Sequence, residues 1–231
     1  MNLKERSYNK ELLDGEGIPL ADIEKNMQEL DFINTKLGGH AITIKGFKTL
    51  LGNKKKVTVC EVGCGGGDNL AAIAKWCQKK GIQFHCIGID IKKECIAVAQ
   101  ANHHLPASST WLTSDYKEVF FAEKPDIIFS SLFCHHFRED ELIYQLQWME
   151  FNSSAGFFIN DLQRHTIAYH AIKILTSLFS SSYLVKNDAP LSVARGFTKQ
   201  EWQGIFKEAY IKPYQIRWRW AFRHLIIFKH G

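Results

Sequence analysis

The run Val59-Cys60-Glu61-Val62-Gly63-Cys64-Gly65-Gly66-Gly67-Asp68 constrains this chain more than any other stretch. It opens inside a short, nearly all-apolar segment, Val57 to Val62, and passes through glycines into a helical pattern from Asp68 to Lys80. An unbroken apolar run of this length suits a parallel strand buried on both faces. Glycines directly after it let the backbone turn tightly and let a ligand approach with no Cβ in the way. In open parallel sheets, ligands bind at this carboxyl edge of the strands.

The segments that follow repeat the alternation. Phe84 to Asp90, Thr110 to Thr113, Asp126 to Ser131 and Gly156 to Asn160 read as strands. Helical patterns separate them through Ile96 to Asn102 and Glu139 to Met149. Tyr214 to Phe228 is rich in aromatic and β-branched residues and reads as a hairpin turning at Ala221-Phe222-Arg223-His224. The expected fold is α/β: a Rossmann-like seven-stranded sheet of five parallel strands plus a C-terminal antiparallel hairpin. Residues 1–55, with helices from Leu20 to Lys36 and from His40 to Leu51, read as an N-terminal helical cap, and residues 56–231 as the ligand-binding domain. Residues 163–197 read as a helical insertion after strand five. Its helix, His165 to Phe179, has an apolar face wide enough for a lid, a homodimer contact or a membrane-surface face. An irregular stretch follows it, up to a capping box at Thr198 and Glu201.

The glycine spacing separates two cofactor classes. A dinucleotide fingerprint would place its third glycine at position 68, which is Asp68. Glu61 would repel a pyrophosphate, whereas it suits a cofactor bearing an ammonium group and no phosphate, such as S-adenosylmethionine (SAM). Asp90 ends the second strand about 20–25 residues after the glycine turn, where a carboxylate accepts from both ribose hydroxyls. Ser114-Asp115-Tyr116 follows the third strand and offers an acceptor for an adenine amino group and an aromatic wall.

CEVGCGGGDNL resembles motif I of class I SAM-dependent methyltransferases, GIDIKKECIAVAQAN resembles the segment that follows it, and IIFSSLFCHHF the motif at the fourth strand. The pattern over about residues 55–162 is similar to the ubiquinone/menaquinone-biosynthesis-like, small-molecule group. LGGHAIT, NDLQRH and DAPLSVARGFT resemble a bacterial subgroup associated with polyketide-type or pigment pathways. The resemblance implies SAM as cofactor and S-adenosylhomocysteine (SAH) as product. The implied cofactor set is Glu61, Gly63, Cys64, Gly65, Gly67, Asp90, Ile91, Ser114, Asp115, Tyr116 and Ser131.

In that family the end of the fourth strand lies beside the SAM sulfur. His135 and His136 become the candidate bases, since imidazole titrates near neutral pH. Asp161, Arg164 and His165 after the fifth strand, and Arg195, are candidate contacts for the acceptor. No third ligand stands near the two histidines in sequence, so no metal site is expected there. A fourth-strand [DN]-P-P-[YF] run is absent, which favours small-molecule over nucleobase chemistry. The reading is methylation of a hydroxylated, largely apolar small molecule. O-methylation is favoured over C-methylation of a phenol or quinol. The alternatives are a non-catalytic SAM-binding protein and an NAD(P)-dependent oxidoreductase.

Bulk properties agree. A net charge of +5, spread over short lysine clusters, lacks the basic, aromatic-interleaved stripe of a nucleic-acid binder. The polar N-terminus has no apolar core of a signal peptide and no stretch is long enough to span a bilayer, which points to the cytoplasm. Six cysteines without a CxxC pair read as reduced thiols.

Overall fold

The computed structural model describes residues 3–106 and 108–231. Its centre is a seven-stranded sheet in the order β3-β2-β1-β4-β5-β7-β6. The strands are β1 (Lys56–Val62), β2 (Gln83–Asp90), β3 (Thr110–Thr113), β4 (Ile127–Ser131), β5 (Gly156–Leu162), β6 (Tyr214–Arg219) and β7 (Arg223–Lys229). The first five pair in parallel, and β7 is inserted antiparallel between β5 and β6. The fold expected from the sequence is the one observed. Chain order reverses between β1 and β4, which opens a crevice at the carboxyl ends of those strands.

The central strands are largely apolar because both faces are covered, with polar residues such as Glu61, Ser131 and Asn160 towards their carboxyl ends. On one face Phe47 and Leu50 of α2 (Gly39–Leu51) and Leu70 and Ile73 of α3 (Asp68–Lys79) pack on Val57, Val59, Phe129 and Phe158. Phe129 and Phe158 stack across β4 and β5 with centroids 4.7 Å apart, a geometry aromatic pairs favour. On the other face Leu142, Leu146 and Met149 of α5 (Glu139–Asn152) and Trp202 and Phe206 of α8 (Lys199–Glu208) pack on Ile128, Phe157 and Ile226. The helix after β2 is α4 (Lys93–Gln100). All six cysteines are free and buried.

Three local readings change. Residues 183–195 are not irregular but form α7 (Tyr183–Arg195) with Pro190 inside it. Leu184, Val185, Val193 and Ala194 are buried and Ser182 caps the helix, so burial outweighs the amide bond that proline forfeits. The fifth strand runs two residues further than expected, so Asp161 and Leu162 pair with His224 and Arg223. Finally, α6 (Thr166–Phe179) does not bury its wide apolar face. Ile167, Ile174, Leu178 and Phe179 are exposed, and no residue of α6 lines the large cavity described below. Among the described residues, no helix is long and apolar enough to cross a membrane.

The N-terminal region shapes the crevice. Asn160, buried in β5, donates to the Gly39 carbonyl and the Thr43 hydroxyl of α2 and to Ser131 of β4. These bonds fix α2 against the strand ends. The helix before it, α1 (Leu20–Lys36), lies across the crevice, and Lys10, Leu13 and Asp14 line it from further upstream.

Candidate active site

A cavity of about 860 Å³ follows the carboxyl edge of β1, β2, β3 and β4. Gly63 and Gly65 hold positive φ values of 69° and 50° at its centre. A Cβ on Gly63 would come within 2.1 Å of the Phe133 ring, so the turn admits only glycine there. The amides of Gly63 and Cys64 donate to the Ile89 carbonyl, and the Gly65 amide donates to Asp90 Oδ2 at 2.9 Å. The other Asp90 oxygen accepts from the Lys92 amide. Burial raises the Asp90 carboxyl above its usual value against the pull of these amides.

Glu61 is the site's most costly residue. It is 1 % exposed, and its Oε2 has no hydrogen-bond partner. Burial, helped by nearby Asp68, pushes its carboxyl well above the usual range. Asp68 differs because His40 Nε2, at 2.7 Å, and the Asn34 amide both engage its Oδ2. These partners hold its carboxyl low despite burial. A buried carboxylate oxygen without a donor, on a cavity wall, fits a cationic ligand group.

Of the cofactor set read from the sequence, all but Gly67 line this cavity: Glu61, Gly63, Cys64, Gly65, Asp90, Ile91, Ser114, Asp115, Tyr116 and Ser131. Gly67 instead starts α3 in a left-handed conformation. Asp115 also caps the short turn that follows it, accepting from the Lys117 amide. Tyr116 faces the cavity only marginally, since its ring packs on Trp148 and Phe137. The residues that the sequence reading missed come from α1, from the strand-four turn, from α4 and from the upstream segment that holds Leu13 and Asp14. Met27 lies over Gly65 and Gly66, and Leu132 and Phe133 follow β4. Leu132 has a φ of 53°, a strained value for a branched side chain and a common mark of a functional turn.

The acceptor candidates separate sharply. Arg164, Asp161 and His165 do not line the cavity. Arg164 is buried and pairs with Glu201 at 2.6 Å while donating to the Gly196 carbonyl. His165 caps α6 and stacks on Phe222. Asp161, drawn inside by the longer β5, receives the His135 amide and His135 Nδ1, the latter at 2.7 Å. Arg195 reaches the cavity rim, yet its guanidinium donates to the carbonyls of His135, His136 and Asn9. Its work is to hold the 134–136 turn, a job that Arg6 shares through the carbonyls of His135 and Phe137.

His136 lines the cavity, and His135 lies behind it, 2 % exposed. The two rings are 4.5 Å apart. Burial alone would lower the His135 pKa, but Asp161 and Glu11 raise it to about 9. His136 Nδ1 stands 3.1 Å from Asp14 Oδ1. The carboxylate of Glu11 faces both imidazoles, with Oε1 3.4 Å from His135 Nε2 and Oε2 3.7 Å from His136 Nε2. The two histidines therefore do have acidic neighbours, and two of these, Glu11 and Asp14, come from far upstream, where sequence proximity could not reveal them. Asp188 of α7 holds that upstream segment by accepting the amides of Leu12 and Leu13.

Comparison with known proteins follows the same lines. Residues 59–149 match the family described as "Methyltransferase domain". No curated protein matches the sequence. Among solved structures, the plantazolicin methyltransferase BpumL, bound to SAH and a monoazolic desmethyl analogue, is 18 % identical with a TM-score of 0.65; the match covers 92 % of this chain and 89 % of that one. Human N-acetylserotonin methyltransferase with SAM is 14 % identical at a TM-score of 0.64, over 92 % of this chain and 57 % of that one. A candidate O-methyltransferase from Nostoc punctiforme PCC 73102 is 13 % identical at 0.60, over 87 % of this chain, which spans 59 % of its length. At these identities the likeness is one of fold. Residues 59–149 thus match a methyltransferase domain, and the seven-stranded sheet in which they are set is the fold shared with these methyltransferase structures.

Proposed function

We propose that this protein transfers the methyl group of SAM to the hydroxyl oxygen of a largely apolar small molecule. The observation that carries the reading is the continuity of one cavity. It runs from the unpaired Glu61 oxygen and Asp90 to a chamber walled by Leu13, Phe133, Phe137 and His136. In this reading Glu61 meets the ammonium of SAM, Asp90 the ribose hydroxyls, and Ile91 with the Ser114–Asp115 loop the adenine. The acceptor lies against Phe133 and Phe137 with its oxygen towards His136.

SAM supplies an already activated methyl group, and the chain's contribution is alignment and exclusion of water. The methyl–sulfur bond breaks as the methyl–oxygen bond forms, the sulfur keeping the electron pair. The hydroxyl proton passes into the carboxylate–imidazole cluster at His136. The apolar walls favour an acceptor with a ring or chain beside its hydroxyl, in keeping with the small-molecule group that the sequence resembles. The test is incubation with SAM and a panel of phenols, quinols and hydroxylated acyl compounds, read by SAH release and by product mass. SAH release with a methyl ether as product supports the reading. Ring-methylated products would move it to carbon, and SAM binding without any transfer across the panel would remove it.

A further inference from the structure

The cluster behind the acceptor chamber has the architecture of a metal site. His135 and His136 each direct Nδ1 to a carboxylate, Asp161 at 2.7 Å and Asp14 at 3.1 Å. Each then turns Nε2 towards one further carboxylate, Glu11, through separate oxygens. Metal-bound histidines are held this way: the outer nitrogen donates to a carboxylate, which fixes the tautomer and leaves the inner lone pair for the ion.

The distances discriminate. A well-formed N–H···O bond spans about 2.7–3.2 Å. The His135–Asp161 contact lies in that range, whereas Glu11 stands 3.4 and 3.7 Å from the two Nε2 atoms. With metal–ligand bonds of about 2.0–2.1 Å in a tetrahedron, neighbouring ligand atoms lie about 3.3–3.4 Å apart. Ligand atoms of Glu11, His135 and His136 lie within 4.8 Å of one another, and the first two residues are buried. The cationic groups alongside are engaged elsewhere. Arg195 stands 3.6 Å from Asp14 and donates to three carbonyls, and Arg6 donates to the carbonyls of His135, Phe137 and Arg195.

We propose that Glu11, His135 and His136 bind one divalent transition-metal ion of the zinc class, with Asp161 and Asp14 orienting the two imidazoles. Three protein ligands of this kind leave a position for water or an acceptor oxygen. Imidazole and carboxylate donors suit zinc, iron(II) or cobalt(II) better than magnesium. The ion ties residues 11–14 to the 134–136 turn, so it closes the acceptor chamber. With the ion bound both His136 nitrogens are engaged, so a hydroxyl that reaches the ion would lose its proton to solvent water rather than to His136; that effect on methyl transfer rests on the proposed function, whereas ion binding does not.

The experiment uses the full chain after dialysis against a chelator, titrated near neutral pH with Zn²⁺ by calorimetry and with Co²⁺ by visible absorption. The expected result is one ion per chain with the d–d bands of four- or five-coordinate Co²⁺. Affinity should fall at least tenfold in Glu11→Gln and in His136→Ala, and less in Asp161→Asn. Far-ultraviolet circular dichroism of the same samples reports whether each variant is folded. A His40→Ala variant tests the other cluster of suitable side chains, Asp31, His40 and Asp68. Loss of the ion there but not in His136→Ala would overturn the assignment, as would the absence of stoichiometric uptake by the parent chain. Uptake with no methyl transfer would count against the proposed function and leave the ion site standing.

Discussion

The carboxylate of Asp90 accepts the amide hydrogen of Gly65 at 2.9 Å, so one side chain fastens the end of β2 to the glycine turn after β1. The same carboxylate faces the cavity. Asp90→Ala should therefore weaken SAM and SAH together by tenfold or more, about 1.4 kcal/mol. Calorimetric titration of both ligands into parent and variant reads this directly. Equal affinity in the two proteins would remove Asp90 from the cofactor site.

Glu61 sets stability against binding. Its carboxyl is raised well above the usual range by burial and by Asp68. Below about pH 4.3, the ordinary glutamate value, native and unfolded chains are both protonated and the residue costs nothing. As pH rises further the unfolded chain ionises first, and native stability falls. Glu61→Gln should flatten that slope and raise the melting temperature of the ligand-free protein at neutral pH. It should also weaken SAM at least tenfold, about 1.4 kcal/mol. Thermal melts across pH, with and without SAM, separate the two effects, and a variant that is destabilised without ligand would refute the account.

The Arg164–Glu201 pair runs in the opposite direction with pH. Burial resists ionisation of Glu201, but Arg164 and the Thr198 amide hold its carboxyl below the usual value. Its contribution is present above about pH 4.3 and disappears as pH falls through the lowered native value. Glu201→Gln should cost about 2 kcal/mol at neutral pH, because the Arg164 side chain, 4 % exposed, loses its anionic partner. The difference between variant and parent should shrink in acid. Urea melts at several pH values measure it, and a difference that is independent of pH would contradict the pairing.

Gly63 tolerates no side chain. Its φ of 69° and the 2.1 Å approach of the Phe133 ring to a built Cβ combine backbone strain with overpacking. Gly63→Ala should lose about 2–4 kcal/mol of stability and most SAM affinity. Gly63→Ala with Phe133→Ala should recover part of the stability but not the strain at φ. If the double variant gained nothing over the single one, the Phe133 contact would not be the cause.

The sheet and the cavity edge along β1, β2 and β3 were legible because they depend on neighbours in sequence. Apolar strands, a glycine turn and an aspartate at the next strand end are all written within about thirty positions, and the structure brings them to one cavity. The acceptor side was not legible. Asp161 turned inward because β5 gained two residues by pairing with β7, a partner more than sixty positions later. Arg195 and Arg164 resembled ligand-binding cations, yet buried carbonyls and Glu201 occupy them. Pro190 and its polar neighbours concealed α7, whose helix is sustained by burial rather than by propensity. Glu11 and Asp14 sit in a segment with no periodicity, so nothing local announces that they meet His135 and His136.

That upstream segment also makes one side of the crevice depend on contacts of very long sequence separation. Arg6 finds the carbonyl of His135 only 129 positions later and that of Arg195 189 positions later. The bond from the Gly65 amide to Asp90, by contrast, spans only 25 positions. The glycine-turn half of the crevice is closed by near neighbours in sequence, whereas the half beside His136 is closed only when α7 and residues 6–13 meet from opposite ends of the chain.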